Sequence, residues 1–487
     1  MKLTFYGGAM SVTGANYLLE HDGVKILVDC GLFQGFKYAE ILNYEKFSYD
    51  PAEVDYVFIT HSHTDHIGRL PKLYKEGFRG KIYVVEPTKE LMLRAFPDNW
   101  SHMAEEAKSD GHDPLYMQDD IEGVMGLVEG ISYHQKIELN PQGSTFLKIQ
   151  DRTSNLASQG PNLSATFFNS GHILGSAIVC FEWKESRSNL LETKKIYFTG
   201  DLGNSPSLLL PDKEFVHDAD YAVIESAYGS RQHKDRAERA VVLKEVVEYV
   251  VKNKGALMIP SFAIERTQEI LFELHQFFAD ETMPMVPVFL DSPLANKMTE
   301  VYNRFSSYLN SEVRSHLGEK GGLFNFSCVR QTNTIEESKS INDTPGPKII
   351  IAGSGMSNGG RILHHERRYL SDPNSAIVFV GYQVEGSLGR KILDGSTGSP
   401  RVGQPEVNIF GEFVPVKCLV KGIGAYSAHA DQPALVEWVS QANKENKLKK
   451  VFIVQGEEES AKALAGQIES KEKVEVVIPS QNQTFEL

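Results

Sequence analysis

The sequence predicts an α/β protein in which a β-rich domain is interrupted by a second α/β domain and then completed. Three observations carry this reading. Short strand-like apolar runs recur through roughly the first 230 residues, regular strand–helix alternation follows, and strand-rich sequence returns from about residue 404. With 487 residues the chain is also too long for one ordinary core, so more than one domain is expected. The expected division is 1–229 for the first part of the β-rich domain, 230–428 for the insertion and 429–487 for the completing part.

The opening residues alternate apolar runs with glycine (LTFYGG, NYLLEHDGVKILVDCG), the pattern of short strands joined by turns. VDYVFIT (54–60) reads as a buried strand ending on His61, and KIYVV (81–85), SATFFNS (164–170), SAIVCFEW (176–183), KKIYFTG (194–200) and YAVIES (221–226) extend the series. Beyond residue 230, AERAVVLKEVVEYVVKN (237–253) has apolar residues at helical spacing, followed by the strand GALMIP and a helix over 263–278. MVPVFLDSP, PKIIIAGSG, a helix through GGRILHHERRYL and AIVFVGY continue the alternation that marks a parallel sheet. HHERR (364–368) reads as a solvated helix face, and 307–347 is less regular. EVNIFGEFVPV, the helix opened by SAHADQPALVEWVSQA and the strand VFIVQ complete the chain.

Hydrophobic content of 41% and charged content of 23% belong to a globular protein, and no apolar stretch is long enough to span a bilayer, so no membrane partner is expected. The N-terminus lacks the basic, apolar and small-residue regions of a signal peptide. Cys30, Cys180, Cys328 and Cys418 are far apart, which suits reduced thiols and a cytoplasmic setting. The net charge of −14 argues against broad coating of nucleic acid, but local potential governs entry of a short strand into a cleft.

The chemistry is concentrated in THSHTDHIG (60–68), which places His61, His63, Asp65 and His66 on one loop directly after a strand. Imidazole nitrogens and carboxylates are ordinary zinc ligands, and a short loop can aim alternate residues at one point. The bland alternative is a surface histidine cluster, which the position after a buried strand disfavours. NSGHILGSA (169–177) offers His172 in a turn between strands, and YFTGDLGN (197–204) offers Asp201 at a strand end. Either residue alone would be structural; beside the histidine loop both become ligand candidates. Asp29, in ILVDCG, ends an early strand and suits either a turn cap or a hydrogen bond that orients a ligand histidine. In GSGMSNGGR (353–361), Ser354 and Gly355 lie between a strand and a helix, where backbone N–H groups can receive a phosphate. Arg266, Arg361 and Arg390 are candidates for phosphate-backbone contacts, or else ion-pair partners.

These motifs, with ESAYGSR (225–231), IPSFAIERTQE (259–269), DSPLA (291–295), GYQVEGSLGR (381–390) and YSAHADQ (426–432), resemble the metallo-β-lactamase-fold β-CASP nucleases of the RNA-processing type, over nearly the whole chain. The resemblance implies an αββα sandwich with an inserted α/β β-CASP domain. It implies two zinc ions: one on His61, His63 and His172, one on Asp65 and His66, with Asp201 bridging. It further implies hydrolysis of phosphodiester bonds in single-stranded RNA by metal-activated water, with His429 as general acid and Glu225 as its partner. A homodimer is compatible with it. The sequence departs from the family where a strand-terminal histidine is usual: VFIVQGEEES carries Gln455 instead. An amide oxygen is a poorer zinc ligand than imidazole, so the second metal position is expected to bind weakly, to be completed by water or to hold a different metal content. The competing readings are a catalytically weakened RNA-binding partner subunit and a DNA-acting enzyme of the same frame.

Overall fold

The computed structural model describes residues 1–35, 40–140, 162–187, 190–233, 237–280, 283–317, 323–397 and 405–487. It divides into two units, one made of residues 1–232 and 429–487, the other of residues 233–428.

The first unit begins with β1 (Lys2–Gly7), β2 (Asn16–His21), β3 (Val24–Val28), β4 (Tyr56–Phe58), β5 (Lys81–Val85) and β6 (Val128–Ile131), which form a sheet in that order. Its first three strands are antiparallel and the rest join in parallel. A second sheet contains β7 (Ile137–Glu138), β8 (Leu163–Asn169), β9 (Ala177–Arg187), β10 (Leu190–Phe198) and β11 (Tyr221–Glu225), antiparallel until β11 pairs with β10 in parallel. β4 and β11 are buried along their whole length because both faces of each are covered. The two-residue period separates those faces. On β4, Phe58 turns to the other sheet, with ring centroids 5.7 Å from Phe167 and 5.1 Å from Phe181, while Val57 joins the helix-covered outer cluster. Each such buried ring contributes on the order of 1.5–3 kcal/mol.

The inserted unit carries a six-stranded parallel sheet built from β12 (Ala256–Pro260), β13 (Val288–Leu290), β14 (Val329–Gln331), β15 (Lys348–Ala352), β16 (Ala376–Phe379) and β19 (Leu419–Gly422). Its order is β14-β13-β15-β12-β16-β19, and β17 (Glu406–Ile409) with β18 (Glu412–Pro415) forms a separate antiparallel ribbon. The helix Ala237–Asn253 coincides with the segment whose apolar spacing predicts it. The stretch expected to be irregular, 307–347, contains β14 and two short helices, Ser311–Ser315 and Ile335–Ser340; its residues 318–322 lie outside the described residues.

The chain then returns to the first unit. β20 (Lys450–Val454) adds in parallel to β11, β21 (Glu475–Val477) adds to β20, and β22 (Gln483–Glu486) pairs with β1. Each sheet thereby reaches seven strands. The helices Gln432–Ala442 and Glu458–Lys471 cover the outer face of the second sheet through Leu435, Trp438, Leu464 and Ile468. The first sheet is covered by Leu70, Leu73, Met92, Phe96 and Val124, which lie on the helices Leu70–Lys75, Glu86–Asp110 and Gln118–Met125. The result is an αββα sandwich. The 25-residue helix Glu86–Asp110 has no strong periodic signature in the sequence, because charged residues and Pro97 interrupt its apolar spacing. The reading of HHERR as a solvated face is corrected: in the helix Ile362–Tyr369, His365 and Glu366 are buried, since that side faces the core of the inserted unit.

Candidate metal centre

The loop after β4 is pinned by the segment that leaves β3. The N–H groups of Cys30 and Leu32 donate to the carbonyls of His66 (2.8 Å) and Thr64 (3.0 Å), and that of Ala15 donates to Asp65 (3.0 Å). This close approach requires glycine between Cys30 and Leu32, because a Cβ on Gly31 would stand 1.4 Å from the Asp65 carbonyl oxygen. Thr64–Ile67 then forms one helical turn, which presents Asp65 and His66 on adjacent positions. His172 is set by its own motif: the Ser176 hydroxyl accepts from the N–H groups of His172 (3.0 Å) and Ile173 (3.2 Å). Asp201 follows β10 through Gly200, whose left-handed backbone (φ +51°) and absent Cβ leave room for Thr60.

These elements bring four donor atoms together. Nε2 of His61 lies 3.0 Å from Nδ1 of His63, and Nε2 of His172 lies 3.2 Å from that same atom. Oδ2 of Asp201 stands 3.4 Å from both Nε2 of His61 and Nε2 of His172. Ligands about 2.0–2.1 Å from a central zinc at the corners of a tetrahedron lie about 3.3–3.4 Å apart. The donor set and its spacing therefore fit one tetrahedral ion.

Asp65 and His66 stand beside this group. His66 Nε2 is 3.7 Å from Oδ2 of Asp65 and 3.4 Å from Oδ1 of Asp201. On its far side, His66 Nδ1 meets Oδ2 of Asp29 at 2.8 Å, and Asp29 also accepts from the backbone N–H and the hydroxyl of Thr60, both at 2.8 Å. Asp29 thus orients a histidine of the loop, as one of its two sequence-level readings expects. Thr60 completes this clamp, and its only signal in the sequence is its place immediately before the histidine run.

Glu225 ends β11 and is buried; Oε1 accepts from the N–H of Leu202 at 2.6 Å, and Oε2 faces Nδ1 of His429 at 3.0 Å. His429 is held by a bridge to Gly203, two residues after Asp201. Its side chain is 29% exposed, so it can exchange protons with solvent while His61 and Glu225, at 0%, cannot. Enclosure opposes charge on His429, but the carboxylates of Glu225 and Asp201 outweigh it and push the imidazole up to about 9. Burial pushes the Glu225 carboxyl up against the opposing pull of His429.

The comparisons with known proteins converge on this architecture. Residues 12–134 match the model described as metallo-beta-lactamase superfamily, residues 267–392 the Beta-Casp domain, and residues 414–479 the Zn-dependent metallo-hydrolase RNA specificity domain. Ribonuclease TTHA0252 of Thermus thermophilus is 35% identical over 464 residues, covering 95% of this chain and 95% of its own. The chain belongs to the β-CASP family of the metallo-β-lactamase superfamily. An RNase J-like protein of Methanocaldococcus jannaschii is 28% identical over 98% of this chain and 97% of its own, and the transcription termination factor FttA of Methanosarcina mazei is 28% identical over 98% and 70%. Membership of this metallo-hydrolase family implies a bound metal, and the tetrahedral donor group is where the residues fit one.

The β-CASP unit holds the remaining candidates, and its arginines are already partnered. Arg266 is buried and pairs with Glu269. Arg361 donates to Oδ1 of Asp291 at 2.7 Å and to the Asn333 carbonyl at 2.9 Å. Arg390 pairs with Asp394 at 2.8 Å on an exposed helix turn. In the glycine-rich loop, the N–H of Ser354 donates to Gly359 (3.1 Å) and its hydroxyl accepts from Asn358 (3.1 Å). Gly355 lies against the exposed Phe262 ring, and its carbonyl accepts from Gln383 at 3.0 Å.

Proposed function

We propose that this chain hydrolyses phosphodiester bonds of single-stranded RNA at a zinc centre formed by His61, His63, His172 and Asp201. The observation that carries the metal reading is the spacing of those four donor atoms, 3.0–3.4 Å along the measured edges. A zinc ion held there that expands its coordination to admit water would lower the pKa of that water and offset charge developing on a phosphate oxygen.

The protein's own groups supply the rest. Nδ1 of His429 donates to Glu225, which fixes the tautomer and leaves Nε2 to carry the transferable proton. A positively poised imidazole suits delivery of a proton to the departing oxygen. Arg390, exposed and held by a single i,i+4 carboxylate, is the arginine of the three best suited to trade its partner for a phosphate. Arg361 and Arg266 brace the fold instead. The substrate class is supported by the ribonuclease and RNase J-like names of the two relatives that match over nearly their whole length, and by the match to an RNA specificity domain.

The test is cleavage of 5′-labelled single-stranded RNA and DNA of the same sequence by zinc-loaded protein. RNA cleavage that disappears in His429→Ala with zinc retained is the expected result. Failure of the loaded wild type to cut RNA would overturn the assignment, and preferential cutting of DNA would move it to the DNA-acting branch.

A further inference from the structure

We propose that this chain works with a single metal ion, because the amide of Gln455 takes the place that a second ion would need. The inference rests on the metal reading of the His61, His63, His172 and Asp201 group. It concerns the neighbouring position, where the residues do not fit an ion.

His66 meets Asp29 through Nδ1 and turns Nε2 inward. Asp201 faces the first group with Oδ2 and turns Oδ1 towards His66. Between these two atoms stands the side-chain nitrogen of Gln455, 2.8 Å from Nε2 of His66 and 3.0 Å from Oδ1 of Asp201. Asp201 in its ionised form cannot donate, so nitrogen and not oxygen stands next to it. The amide oxygen, at the other end, accepts from the Tyr17 hydroxyl at 3.4 Å.

The backbone holds Gln455 in this position. It follows β20 with a left-handed conformation (φ +51°), and its N–H donates to the carbonyl of Gly8 at 2.7 Å. The side chain is buried. The space beside His66 and Asp201 that an ion would need is thus filled by an internal, uncharged amide. To admit a metal, the amide would have to turn over, give up both hydrogen bonds and offer a neutral oxygen in place of imidazole.

The experiment is metal counting, which needs no activity. The full chain is stripped with a chelator, saturated with zinc, freed of excess and measured by elemental analysis and by calorimetric titration. One zinc per chain is expected for the wild type, and two for both Gln455→His and Gln455→Glu. In Gln455→Glu the second equivalent should also raise the unfolding temperature, because zinc relieves repulsion between the new carboxylate and Asp201. Two zincs in the wild type would overturn the proposal, as would a count of one in wild type and in both folded variants. A count of zero in all three would remove the metal centre itself, a failure distinct from either. The wild-type count stands even if a variant does not fold.

Discussion

Oε2 of Glu225 lies 3.0 Å from Nδ1 of His429, across 204 residues of sequence. The pair joins the end of β11 to the first residue after the insertion, and it fixes both the tautomer and the charge of the imidazole. Because His429 is raised to about 9, its proton is present below that value and is lost as pH rises through it. Glu225→Gln removes the stronger of the two carboxylate charges that hold the imidazole protonated, so the alkaline limb of the kcat–pH profile should move to lower pH. Activity at pH 8 should fall more than at pH 6, by up to the ~10²–10⁴-fold typical of general acid catalysis. An unmoved limb would separate Glu225 from the proton transfer.

His172→Ala removes one corner of the donor tetrahedron. Zinc content should fall well below that of the wild type, and the unfolding temperature should stop responding to added zinc. In the wild type, zinc at about 100 times its Kd should stabilise the fold by ~2.7 kcal/mol. Differential scanning calorimetry with and without chelator measures both.

Glu366 offers a pH test away from the metal. Its carboxyl is buried with Ser357 as hydrogen-bond partner, and burial pushes it up to about 8. The folded state then holds a proton that the unfolded chain releases above the ordinary glutamate range. Between about pH 4.5 and about 8, stability from this group must therefore fall as pH rises, and level off above. Glu366→Gln keeps the shape without the ionisation, so its unfolding free energy should decline less over this window. Parallel urea-unfolding curves for the two proteins across that range would refute the assignment.

Arg361 serves as a brace. Asp291 is fully buried and accepts from Thr332 (2.6 Å), Arg361 and Ser338 (both 2.7 Å) and His365 (2.8 Å). Burial alone would raise its carboxyl, but these four donors outweigh it and hold the group well below the usual range. Arg361→Ala leaves that charge short of a partner and should cost on the order of 3 kcal/mol of stability. RNA affinity of the folded variant, measured by fluorescence polarisation, should change far less than for Arg390→Ala.

Much of the fold was legible because its signals are local. The histidine run after a buried strand, the apolar spacing of Ala237–Asn253 and the α/β alternation are each contained in a few consecutive residues. The helix Glu86–Asp110 was not legible, since packing against the first sheet, not its own periodicity, stabilises it. HHERR misled for a related reason: charged residues read as solvated, yet Asp291 and Ser357 provide buried partners for His365 and Glu366.

The sequence alone determined the donor types, their order along the chain and the substitution of Gln455 for histidine, because each is a matter of residue identity within a motif. The tertiary structure decided what those residues do to one another. Parallel pairing sets Glu225 opposite Val454, which delivers Gln455, one residue further on, to His66 and Asp201. Whether an amide beside a metal loop acts as a weak ligand or as a hydrogen-bond clamp depends on which acceptors surround its nitrogen. That is fixed by sheet register across hundreds of residues, and no local pattern encodes it.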